Sequence, residues 1–321
     1  MFKLGFLLKN FDACNKKFIN IHFINVQKMD VKERIIYWYE KHWEPGFIKW
    51  WKGYETLALH DGLHQKGIRS FEEALLNMND FVAKLLELDK FEDKNAKILD
   101  AGCGVGGTCI YLGNKFPNIN FIGITISRKQ VELARKFAKE KNFNNNTNFL
   151  LMDYMKTDFP DNYFDGVFAL ESISYAPNKK AFIEEMYRIL KPGGKLVIIC
   201  PAIKKNPLNP ILEKIYKWYH MGRGNPYSFP VLKNLLNYLR EGFSNIRVMD
   251  LSRNIIWSEV RSTLISIPYT FLILFKKLFK GKKYDASKDP AFYLAVAILT
   301  PIMGLSRTSG YYAIKGSKNY S

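Results

Sequence analysis

Residues Ile98-Leu99-Asp100-Ala101-Gly102-Cys103-Gly104-Val105-Gly106-Gly107 run from an apolar strand through a carboxylate into a string of glycines. Such a segment must stop extending and turn. Glycines at 102, 104 and 106 admit backbone conformations closed to residues with a Cβ, and they let a ligand approach the main chain. A helix starting near Gly107 would aim its unpaired N–H groups at that ligand. Strands and helices then alternate for about a hundred residues. Helix is predicted over Thr108 to Phe116, strand over Asn120 to Ile126, and a helix from a capping sequence at Ser127 to Lys141. Strands at Asn148 to Met152 and Tyr163 to Leu170 follow, stopping at Asp153 and Glu171; then come a helix over Pro177 to Leu190, a turn at Lys191-Pro192-Gly193-Gly194 and a strand over Lys195 to Cys200. The strands are nearly all apolar, as buried parallel strands are, so a doubly wound α/β sheet is expected. Ligands of such sheets sit beyond the carboxyl ends of the strands, where Asp100, Thr125, Asp153 and Glu171 should converge.

Gly102, Gly104 and Gly107 also satisfy the dinucleotide pattern G-x-G-x-x-G. Asp100 argues against that reading, because a carboxylate beside a pyrophosphate repels it and suits a cationic amino group. The acid that dinucleotide sites place about 20 residues further on is also absent, since the second strand ends Gly123-Ile124-Thr125-Ile126-Ser127. S-adenosyl-L-methionine, which carries an ammonium, a carboxylate and a sulfonium, meets the first point.

At these residues the chain resembles motif I of the class I S-adenosylmethionine-dependent methyltransferases. Lys97 to Leu112, Phe121 to Ser127 with Gln130, Asp153-Tyr154, Phe159 to Asp165 and Arg188 to Gly194 look like the branch containing tocopherol and sterol C-methyltransferases. The resemblance covers roughly Phe47 to Asp250. It implies a seven-stranded Rossmann-like sheet whose last two strands form a hairpin beside strand five. It also implies that Asp100 and Gly102 hold the methionine end, with Cys103, Gly104 and Gly106 in the same loop. Thr125, Ser127 and Gln130 would take the ribose, at a place where broader relatives carry an acid. Asp153, followed by Tyr154, would take the adenine amino group. Glu171 would face the transferred methyl group with Tyr175 close by, and no metal is expected.

The chain has 321 residues, 47% hydrophobic and 24% charged, enough for one large domain with appendages. Four cysteines without C-x-x-C spacing suit a reducing compartment. His60 and His64 stand at i and i+4, but Gly62 lies between them and no third ligand follows. Five parts are expected: a basic extension at 1–29, an aromatic-rich helical lid at 30–90, a methyltransferase core at 91–251, an apolar lysine-rich helical insertion at 252–309, and a final strand with tail at 310–321. The lid region contains Tyr37, Trp38, Tyr39, Trp43, Trp50, Trp51 and Tyr54. In the insertion, Thr263 to Phe275 and Ala291 to Leu305 are uncharged runs of 13 and 15 residues, short of the roughly 20 that span a bilayer. Lys276, Lys277, Lys280, Lys282 and Lys283 lie between them. Together with the formal charge of +18, this suits an element lying in an anionic membrane interface.

The expected function is methyl transfer to a lipophilic acceptor (sterol, other isoprenoid, quinol or lipid) by a cytoplasmic, peripherally membrane-bound enzyme. The charge suggests a nucleic-acid methyltransferase as an alternative. Glu171-Ser172-Ile173-Ser174-Tyr175 stands where base-methylating enzymes carry an Asp/Asn-Pro-Pro-aromatic motif, so nucleic acid is not the expected partner. A cofactor-binding scaffold on a membrane, without turnover, is a third possibility.

Overall fold

A computed structural model describes residues 30–42, 53–91, 95–141, 146–204, 209–225, 227, 229–281, 284 and 295–320. The 1–29 extension, Trp43, Trp50, Trp51, Lys282 and Lys283 lie outside these residues. Seven strands form one sheet: β1 Lys97–Ala101, β2 Asn120–Thr125, β3 Thr147–Leu151, β4 Phe164–Leu170, β5 Leu190–Ile203, β6 Phe243–Asp250 and β7 Ser309–Lys318. Their order is β3-β2-β1-β4-β5-β7-β6, with β7 antiparallel to both of its neighbours and the other pairings parallel. The doubly wound sheet and the hairpin beside strand five are both present.

Consecutive apolar residues serve opposite faces, because side chains alternate along a strand. Ile98, Phe168, Val197, Ile199 and Ala313 belong to the core on one face, beneath the Phe71–Leu86 and Gly107–Lys115 helices. Leu99, Val167, Leu196, Ile198 and Ile314 belong to the other, beneath Lys179–Ile189 and Leu232–Arg240. The predicted cap forms as well, Ser127 Oγ accepting from Gln130 N–H at 3.2 Å, and Ser70 Oγ caps the Phe71–Leu86 helix in the same way by accepting from Glu73 N–H at 3.0 Å.

Two expectations change. Lys191 to Gly194 is not a free turn, since β5 begins at Leu190, opposite Phe164, and runs on through an irregularity in register with Gly193 at φ +75°. The first apolar run is also longer than expected. Its helix spans Ile256–Lys280, 25 residues including Pro268, and is long and apolar enough to cross a membrane by length and composition. Glu259 and Arg261 interrupt the uncharged run but not the helix.

That helix has two unlike faces. Ser258, Ser266 and Ile273 are buried against the domain. Ser258 Oγ accepts from Gly62 N–H at 2.9 Å, and Thr270 Oγ1 donates to the Ala295 carbonyl at 3.2 Å. On the far side, Trp257, Val260, Leu264, Ile267, Phe271, Leu274 and Leu278 are 37% to 79% exposed. Their three- and four-residue spacing makes one continuous apolar stripe.

Candidate active site

The turn after β1 carries the site's narrowest tolerances. Gly102 has φ +105°, and a Cβ there would collide with the Ser172 side chain. Ser172 Oγ donates to the Ala101 carbonyl, so the loop after β4 is tied to the turn after β1. At Gly107, the first residue of the helix, a Cβ would run into the Leu57 carbonyl. The open main chain of the turn faces a cleft lined by Asp100, Gly102, Cys103, Gly104, Thr125, Ser127, Gln130, Tyr154, Glu171 and Tyr175.

Gly106 and Asp153 are absent from that lining. Gly106 instead caps the helix with φ +80°. Asp153 accepts from Met155 N–H at 2.9 Å and pairs with Lys32 at 2.8 Å. Thr125 Oγ1 donates to Gln130 Oε1 at 2.6 Å, which joins two of the three residues assigned to ribose. Ser127, the third, donates to Glu40 Oε1 at 2.9 Å. Glu40 belongs to the Val31–His42 helix, so that bond ties the helix to the end of β2.

Asp100 is 3% exposed. Its one polar side-chain contact among the described residues is the Cys109 thiol, which donates to Oδ2 at 3.6 Å. Burial pushes its carboxyl up to about 8, far above the usual carboxylate range. A carboxylate buried without a counter-cation is what a ligand's ammonium group would neutralise, and the glycine turn beside it leaves room for that ligand's main-chain contacts. The residues present therefore fit S-adenosylmethionine.

Glu171 closes β4 in a left-handed conformation, φ 57°, which costs a non-glycine residue about 1–3 kcal/mol and persists only where its surroundings hold it. Its N–H donates to the Ile199 carbonyl at 2.8 Å. Its Oε1 accepts from the Tyr311 hydroxyl at 2.6 Å and from Asp61 N–H at 2.7 Å. Burial, then repulsion from Glu171 and Glu259, raises the Asp61 carboxyl well above its ordinary value. Tyr175 stacks edge-on against Tyr39 at 5.5 Å, and its hydroxyl donates to the Arg223 carbonyl at 3.3 Å. His60 and His64 share no metal cluster among the described residues; the His60 ring bonds the Asp61 carbonyl and Asn79, while His64 stacks on Phe71.

Leu59, His60, Glu171, Tyr175 and Arg223 line this cleft and also a second, larger cavity of about 1120 Å³. The larger cavity reaches from Pro201 and Tyr311 on the sheet to Tyr219 and His220, and to Ile256, Val260 and Leu264 on the striped helix. Sequence reasoning missed Glu40, Asp61, Arg223 and Tyr311. No local pattern marks them: Tyr311 reaches Glu171 across 140 residues and Asp61 across 110.

Residues 99–198 match the family model described as a methyltransferase domain. The chain is similar to a sterol 24-C-methyltransferase of Kluyveromyces lactis, 33% identical over 165 residues, which is 50% of this chain and 44% of that one. The chloroplastic tocopherol O-methyltransferase of Arabidopsis thaliana is 31% identical over 176 residues, 52% and 49% of the two chains. The chain spans less than half the length of these curated relatives. Among solved structures, the cyclopropane synthase MmaA2 of Mycobacterium tuberculosis shares the fold, with a TM-score of 0.71 at 16% identity over 89% of this chain and 98% of that one. Residues 99–198 of this chain are thus a class I S-adenosylmethionine-dependent methyltransferase domain with sterol and tocopherol methyltransferases among its relatives.

Proposed function

We propose that the chain transfers a methyl group from S-adenosylmethionine to a lipophilic acceptor drawn from a membrane interface. The observation that carries this reading is the wall of Leu59, His60, Glu171, Tyr175 and Arg223 shared by the cofactor cleft and the large cavity. An acceptor in the large cavity would meet the cofactor only there.

When bound, the cofactor supplies an electrophilic methyl group. The chain's own part is placement and charge. Asp100 holds the ammonium end, and the Val31–His42 helix covers the cleft with Ile35, Ile36 and Tyr39. An acceptor atom pressed against the wall is positioned for in-line displacement, the chief source of rate in such a reaction. The atom that gains the methyl group either sheds a proton or carries positive charge, and the Glu171 carboxylate takes the proton or offsets the charge. Tyr175 adds an aromatic face.

Tyr311 is a positioning residue for Glu171. Tyr311→Phe removes a donor to the carboxylate, so turnover should fall about tenfold. The loss should fall on kcat, with acceptor KM and S-adenosylmethionine affinity little changed. Unchanged turnover, or an equally large loss of S-adenosylmethionine affinity, would count against this role.

The exposed stripe and the lysines at 276, 277 and 280 support docking on an anionic bilayer. Because the helix is held to the domain along its other face, we favour one lying in the interface over one spanning it. Leu264→Glu or Phe271→Glu should cut co-sedimentation with phosphatidylglycerol-rich vesicles at least about tenfold, since each removes a large apolar contact worth roughly 1.5–3 kcal/mol. Unchanged sedimentation of both variants would remove the stripe from the docking surface. The acceptor itself can be sought by solvent extraction of the purified full chain followed by mass spectrometry. A co-purifying lipophilic species is expected, whereas bound RNA fragments with no such species would favour a nucleic-acid substrate.

A further inference from the structure

The large cavity has a polar patch whose hydrogen bonds are incomplete. Ser174 Oγ, His220 Nε2, Arg223 Nε and Thr300 Oγ1 are buried and have no hydrogen-bond partner among the described residues. All four residues line this cavity, and Ser174, His220 and Thr300 are only 4%, 5% and 8% exposed. A buried polar group left unpaired costs about 1–3 kcal/mol, so four such atoms facing one space point to something that completes them.

Their placement gives the ligand a direction. His220 and Arg223 lie three residues apart at the end of the Pro210–Gly222 helix, about 4.5 Å along its axis. Arg223 belongs to the wall shared with the cofactor cleft, and Ser174 is next to Tyr175 of that wall. Exposed apolar side chains, interspersed with polar ones, give the same cavity an open rim. Ile256, Val260, Leu264 and Leu305 line it while being 45%, 39%, 60% and 83% exposed, and the first three belong to the striped helix.

The partners at the polar end suit an uncharged group. Ser174 and Thr300 offer hydroxyls. His220 packs against Phe229 at 4.5 Å between ring centroids, and burial with the nearby Lys179 and Arg223 pushes it down to about 4, so its imidazole is neutral. Arg223 is the one cation of the group, and Asp61 and Glu171 already act on its charge. An anionic head held by Arg223 would also meet Asp61 and Glu171, which act on Arg223 itself, while the cavity's other cations, Lys204, Arg253 and Arg307, belong to other segments of its lining.

We propose that the acceptor binds head first. A hydroxyl- or carbonyl-bearing head is held by Ser174, His220 and Arg223 beside the Glu171–Tyr175 wall, and its apolar tail leaves through the mouth at Ile256, Val260 and Leu264. Methylation then falls on the oxygenated head, not on the far end of the tail. This rests on the lipophilic-acceptor reading above and adds which end of the acceptor reacts.

The test compares para-dodecylphenol with dodecylbenzene, which lacks the hydroxyl, by calorimetry on the full chain saturated with S-adenosylhomocysteine. The phenol should bind about tenfold tighter or more. His220→Leu and Ser174→Ala should each reduce that preference, and His220→Gln should restore part of it. S-adenosylhomocysteine affinity serves as the check that each variant is folded. Equal binding of the two probes, or a preference untouched by both His220→Leu and Ser174→Ala, overturns the head-first orientation while leaving the lipophilic acceptor in place. Binding of neither probe to a chain that holds S-adenosylhomocysteine overturns both.

Discussion

Replacing Asp100 with Asn is expected to weaken S-adenosylmethionine binding by about 100-fold, or about 3 kcal/mol, the usual loss when one partner of a buried charge pair is removed. The wild-type affinity should also depend on pH in a particular direction. Burial holds the ligand-free Asp100 carboxyl at about 8, so near neutrality the free protein carries a proton there. The ammonium of the ligand requires the ionised form, and binding must expel that proton. Affinity should therefore rise about tenfold per pH unit between roughly pH 6 and 8. Calorimetry in two buffers of different ionisation enthalpy should show close to one proton released.

The same group destabilises the ligand-free fold as pH rises. Its folded value lies above the unfolded one of about 3.9, so the folded state holds a proton that the unfolded state has lost. Asp100 therefore lowers stability progressively from about pH 4 to 8. Asp100→Asn should remove that slope along with the proton release. Binding that is independent of pH and releases no proton would mean that Asp100 does not meet the ammonium group.

Glu171→Gln is expected to lower turnover between about a hundredfold and ten-thousandfold, the range for losing a general base. The amide oxygen can still accept from Tyr311 and from Asp61 N–H, so the strained end of β4 should persist. S-adenosylmethionine affinity should change by less than about twofold, because Asp100 and the glycine turn are untouched. A variant with ordinary turnover would reduce Glu171 to a structural residue that closes the strand.

The strands were legible because burial on both faces leaves nearly unbroken apolar runs, and Ile98-Leu99 or Val197-Ile198-Ile199 cannot be mistaken for an exposed ladder. Asp100 stood out in the sequence for a local reason, a carboxylate next to glycines, and the structure places it in the cleft beside that turn. What escaped sequence reasoning depends on contacts distant along the chain. Tyr311 looks like an ordinary residue of a final strand until β7 inserts between β5 and β6 and brings it to Glu171. Glu40 lies in a helix of mixed composition, and only folding carries it to Ser127. Asp153 stands just beyond β3, and its ion pair with Lys32 of the N-terminal helix is another contact that only folding makes. The Ile256–Lys280 helix was underestimated because Glu259 and Arg261 break an uncharged run without breaking a helix, and Pro268 is accommodated within it. The charge of +18 is a property of the whole chain and names no surface and no partner by itself.

The most direct measurement is transfer of labelled methyl from S-adenosylmethionine, catalysed by the full chain, into a total lipid extract presented as vesicles. Expected is label in the solvent-extractable fraction, with stoichiometric release of S-adenosylhomocysteine and loss of both in Glu171→Gln. A chain that binds S-adenosylmethionine at micromolar affinity yet labels no lipid, or that labels RNA in the same extract, would contradict a lipophilic acceptor.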